Sequence, residues 1–118
     1  MKSYYLNDWA ESKLEGLKKD FEINDTDLEG VNIVLASYGN EGYDGSAEVL
    51  FEKDDKLYMV GGGHCSCYGL EGQWEPQETT WETIAHLYQE GTFGTDRYSG
   101  NSFRNELGEI LEQKGLIA

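Results

Sequence analysis

The chain has 118 residues, with 9 Lys and Arg against 23 Asp and Glu, a formal net charge of −14 and only two cysteines. That length fits one domain built around one core, the cysteine count excludes a disulfide scaffold, and the charge opposes direct contact with nucleic acid or an anionic membrane. No apolar run reaches the roughly 20 residues of a membrane span, and MKSYYLNDWAESK lacks the apolar stretch of a secretory signal, so a soluble, cytoplasmic protein is expected.

Between Asn7 and Phe21 the apolar residues Ala10, Leu14, Leu17 and Phe21 recur at helical spacing, with Trp9 beside the stripe and Asn7 or Asp8 able to cap it. An amphipathic helix is expected there. The next segment, Asn24 to Gly30, places acids at alternate positions like the start of a calcium loop. The twelfth position from Asp25 is Ala36, however, where a bidentate Glu belongs, so the segment reads as a turn.

Val31 to Tyr38 is rich in β-branched and aromatic residues and predicts a well-buried strand. Ala47 to Lys53 and Leu57 to Val60 predict two more, paired antiparallel through the short polar turn Lys53-Asp54-Asp55-Lys56. Gly61-Gly62-Gly63 is then expected to let the backbone bend. Thr79 and Glu82 form a capping box for a helix carrying Trp81, Ile84, Ala85 and Tyr88 on one face and closed by Gly91. After a loop over Thr92 to Gly100, Ser102 caps a last helix with Phe103, Leu107, Ile110 and Leu111 inward and Gly115 as its stop. The element order predicts a single α+β domain over residues 1–118: a small three-stranded antiparallel sheet with helices packed on one face.

The chemistry concentrates at His64-Cys65-Ser66-Cys67, which holds both cysteines and one of the two histidines. Thiolate and imidazole are preferred zinc donors, and Cys65 and Cys67 share a side of extended chain, so His64, Cys65 and Cys67 can supply three tetrahedral ligands. His86 is the candidate for the fourth, with Asp44, Glu71 or water as alternatives. A structural zinc fits better than a catalytic one, because Cys-rich sites close around the ion. The enzymatic alternative, a Cys nucleophile with His86 as base, lacks an identifiable orienting Asn or Asp. The glycines are no phosphate cradle, since no Lys follows them.

From Asp20 to Asp96 the only basic residues are Lys53 and Lys56, against seventeen carboxylates. Such a field repels phosphates and attracts basic proteins, including those that handle nucleic acid. Glu71, Glu75 and Glu78 around Trp74 are the candidate partner-binding group, an aromatic anchor among acids suiting a protein interface.

The run His64-Cys65-Ser66-Cys67-Tyr68-Gly69-Leu70-Glu71-Gly72-Gln73-Trp74-Glu75-Pro76 resembles a group of small phage and prophage proteins, with the likeness extending back to Tyr43 and forward to the helix holding His86. In size, charge and its zinc-like cluster the chain also looks like the small acidic anti-CRISPR proteins of streptococcal phages, some of which carry zinc. That resemblance implies a non-enzymatic cytoplasmic inhibitor, in a bacterial host, of a type II CRISPR effector nuclease. It also implies zinc on His64, Cys65 and Cys67, and an acidic surface that docks on the nuclease. A zinc-stabilised phage adaptor for another host protein is the alternative, and a Cys/His hydrolase a more distant one.

Overall fold

Two buried apolar sets, one on each face of a single sheet, organise the computed structural model, which describes residues 3–41, 44–64, 69–91, 93–94 and 101–117. The elements in chain order are β1 (Tyr4–Asn7), α1 (Lys13–Phe21), β2 (Asn32–Glu41), β3 (Asp44–Lys53), β4 (Lys56–His64), β5 (Gln77–Thr79), α2 (Trp81–Glu90) and α3 (Arg104–Gln113). The strands lie in the order β1-β2-β3-β4-β5, with β1 parallel to β2 and the other neighbours antiparallel.

This corrects the expected three-stranded antiparallel sheet with helices on one face: the sheet has five strands, is mixed, and carries helices on both faces. Both outer strands are short, four residues in β1 and three in β5, too few for alternation to stand out in the sequence. The stretch expected to begin a helix at Asn7 instead ends β1 there, with Asn7 at φ 58°, and α1 starts six residues later. Parallel pairing of β1 with β2 needs a crossover, and α1 supplies it.

Because successive strand residues face opposite sides, the runs in β2 and β3 are apolar almost continuously. Ala47, Val49 and Phe51 join Trp9, Leu17 and Phe21 under α1, whereas Leu50 joins Val34, Leu35, Ile84, Leu107 and Leu111 under α2 and α3. A register shift between Ile33 and Leu35 lets both Val34 and Leu35 enter the second set. Trp9 is fully buried, and its indole N–H donates to Asp20 Oδ2 at 2.8 Å, so the ring costs no unpaired donor.

The β3–β4 hairpin forms as expected. Asp54 and Asp55 both take positive φ, 54° and 64°, the turn whose twist matches that of the strands it joins. Gly61, Gly62 and Gly63 do not bend the chain after the strand. They continue β4, opposite Glu48, Ala47 and Ser46. Thr80, one residue later than expected, caps α2 by accepting from the Thr83 amide at 3.1 Å. The last helix begins at Arg104 with Phe103 in the cap position, not Ser102. Gly115, at φ 73°, ends it as expected, and the Leu116 amide reaches back to the Leu111 carbonyl. No helix among the described residues is long and apolar enough to cross a membrane.

Candidate functional site

The free side of β4 and the chain that returns along it, from Gly69 to β5, gather most of the residues singled out by sequence. His64 ends β4 by its backbone, while Cys65 and Cys67 lie outside the described residues. Among the described residues no three His, Cys, Asp or Glu side chains converge on a metal position. His86 is exposed on α2, whose buried Ile84 packs on the sheet face opposite the one that Leu70 and Trp74 cover.

The returning chain is pinned at two points. Leu70 is buried with the α1 set, and Trp74 stacks on Phe51, with centroids 5.8 Å apart and planes 12° apart, while meeting Phe21 edge-on at 5.2 Å. Half-buried in this way, Trp74 anchors the segment to the core. Glu71, Glu75 and Glu78 around it are exposed; Glu71 accepts from the Gly69 amide at 3.2 Å, and Glu78 meets Lys56 at 3.5 Å.

Gln73 supplies the second pin, and sequence reading gave it no role. Its side-chain amide pairs with both backbone groups of Gly63: Oε1 accepts from the amide at 2.8 Å, and Nε2 donates to the carbonyl at 2.7 Å and to the Gly69 carbonyl at 2.7 Å. The side chain thus stands in for a strand beyond the end of β5, where Met59 pairs with Gln77. In an antiparallel ladder alternate residues direct N–H and C=O to the same side. Gly61, midway between Met59 and Gly63, therefore turns both groups toward this edge, where no hydrogen bond is found for them among the described residues.

A hollow of about 280 Å³ opens at that point, lined by Met59, Gly61, Gly72, Gln73, Glu75 and Gln77. A second, of about 310 Å³, lies beyond β5 between Glu52, Asp55, Glu78 and Glu82, against Trp81. The buried Trp81 indole N–H has no acceptor there, and Lys114 Nζ sits 4.6 Å above the ring.

Beside Gly61 stands the most perturbed carboxyl of the described residues. Glu48 faces Ser37 across β2 and Gly61 across β4, on the α2 and α3 side of the sheet. Burial pushes its carboxyl up to about 8, with no neighbouring charge contributing. Its Oε1 is shut off from solvent without a hydrogen-bond partner, and Oε2 lies 3.6 Å from where a Gly61 Cβ would stand. A readable signal existed: Glu48 is the one acid inside the run Ala47-Glu48-Val49-Leu50-Phe51, a strand buried on both faces.

Farther along the same face, Asn101 sits over Gly39 and holds a polar cluster together. It bonds closely to the Ser37 hydroxyl and donates to Ser46 Oγ at 3.4 Å, while Asn7 Nδ2 donates to Ser37 Oγ at 2.8 Å and to Asn101 Oδ1 at 3.3 Å. Ser37 and Asn101 are the buried polar residues of the described chain, and these mutual bonds meet their needs.

No protein-family model, curated protein or solved structure matches the chain.

Proposed function

We propose that this chain is a non-enzymatic acidic inhibitor that binds a basic nucleic-acid-handling protein, a type II CRISPR effector nuclease, and blocks its loading of target DNA. The observation that carries this reading is the charge distribution: seventeen carboxylates against two basic side chains from Asp20 to Asp96. Carboxylates at such density compete for the positive groove that receives phosphates. The exposure of Glu71, Glu75, Glu78 and Glu82, on and around β5, supports it by offering acids to a partner along one stretch of surface.

In the same proposal zinc fastens the chain after β4 through His64, Cys65 and Cys67, which would have to bind as neutral imidazole and thiolates. The metal adds folding energy there and no chemistry. Equilibrium binding to the purified effector, followed by fluorescence anisotropy, tests the partner. Affinity is expected to fall at least about tenfold as salt rises from about 50 to about 300 mM, because opposed charged surfaces are screened over that range. Undetectable binding, or an affinity indifferent to salt, refutes the proposal.

A further inference from the structure

We propose that the outer edge of β5 takes up an extended basic segment of a partner protein as a sixth strand. The ladder decides which backbone groups are free there. Gln73 bonds both backbone groups of Gly63 from the β5 side, so by alternation Leu57 and Met59 turn theirs to that side as well. Thr79 and Gln77 stand opposite them, and Glu78, opposite Tyr58, therefore directs its N–H and C=O away from the sheet. No hydrogen bond to either group is found among the described residues. Gln77 and Glu78 are exposed, so another chain can reach them.

Charge selects the occupant. An open edge accepts any extended chain through its main-chain groups, and the side chains beside it decide which chain is favoured. Here those are carboxylates: Glu75 precedes β5, Glu78 lies in it, and Glu52, Asp55 and Glu82 line the hollow of about 310 Å³ at its end. Lys56, 3.5 Å from Glu78, and Lys114, above the Trp81 ring, offset them only in part. A second copy of this chain, at −14, would set like charge against like, and the short strand preceded by Pro76 is guarded against such pairing. A strand carrying Lys or Arg instead places opposite charge beside Glu78. The other sheet edge, Tyr4–Asn7, holds no carboxylate and offers no such preference.

The source of the segment rests on the proposed basic partner, but the edge can be tested without it. The probe is a capped Thr-Arg-Thr-Arg-Thr peptide titrated into the purified full chain and followed by amide NMR shifts. A Thr-Glu-Thr-Glu-Thr peptide and an N-methylated form of the arginine peptide are the comparisons. Saturable shifts at Gln77, Glu78 and Thr79 are expected with the arginine peptide. The dissociation constant should rise about fivefold or more on N-methylation, which keeps the charge and removes the donors, at least one net backbone hydrogen bond being lost. Glu78→Pro should weaken binding by a similar factor relative to Glu78→Gln, which has the same charge. Proline is tolerated on an edge strand where the N–H it removes is not part of the ladder. Absent shifts in β5, or equal affinity for the N-methylated peptide, overturn the strand pairing, and equal binding of the glutamate peptide overturns the basic occupant. Shifts at these residues that grow with protein concentration without peptide would assign the edge to a second copy and overturn the proposal too. Failure of the effector to bind would leave the peptide results as they stand, whereas an effector that binds without shifting Gln77, Glu78 and Thr79 would sink this proposal alone.

Discussion

A Glu48→Gln variant is expected to lose the alkaline weakening of the wild-type fold. Burial raises this carboxyl from 4.5 to about 8 in the folded protein, so the folded state holds the proton more tightly than the unfolded chain does. The stability gained by holding it is complete below pH 4.5 and is lost as pH rises through about 8. That difference corresponds to stability on the order of 4 kcal/mol between mildly acidic and alkaline solution. Glutamine carries no titrating proton, so the gap between variant and wild type should widen with pH in the variant's favour. Urea unfolding of both proteins at about pH 5, 7 and 9 measures it. Parallel stability curves would mean that Glu48 is ionised and solvated in the folded protein.

The second large effect is expected at Gly39. An alanine Cβ there would stand 2.5 Å from the Asn101 Cα and closer still to its amide nitrogen, and backbone cannot yield as a side-chain tip can. Gly39→Ala should therefore push Asn101 off the sheet, breaking its bonds to Ser37 and Ser46, at a cost of about 2–3 kcal/mol or more. Gly61→Ala, on the same sheet face, is the control: its Cβ makes only an ordinary contact, and a loss under about 1 kcal/mol is expected. Equal losses in denaturant midpoint for the two variants would show that Asn101 does not dock where it is placed.

The core strands were legible because their residues are apolar almost without interruption, and the Asp54-Asp55 turn because its spacing permits little else. The outer strands were not. Tyr4–Asn7 and Gln77–Thr79 are held by pairing with β2 and β4, and such tertiary support leaves little trace in a three- or four-residue segment. The glycine run misled for a related reason. Glycine permits a bend but does not impose one, and ladder pairing with Ser46, Ala47 and Glu48 holds Gly63, Gly62 and Gly61 straight.

At the candidate site the acids of the returning chain were visible as composition, but their arrangement was not. Gln73 gave no signal, because an amide that imitates a strand is indistinguishable in sequence from an exposed polar residue. Glu48 could have been found from its place in a two-sided buried strand. Trp74 read as an interface anchor among acids, and its ring is stacked on Phe51 and meets Phe21 edge-on. Cys65 and Cys67, which with His64 carry the zinc expectation, stand outside the described residues.

Inhibition by an acidic surface is tested most directly by target-DNA loading. The guide-loaded type II effector is mixed with labelled target duplex, with and without a stoichiometric excess of this protein, at low and at moderate salt. The expected result is that DNA binding falls at least about tenfold at low salt and recovers partly as salt screens the carboxylates. DNA loading that is unchanged by the protein at low salt would contradict the proposed function.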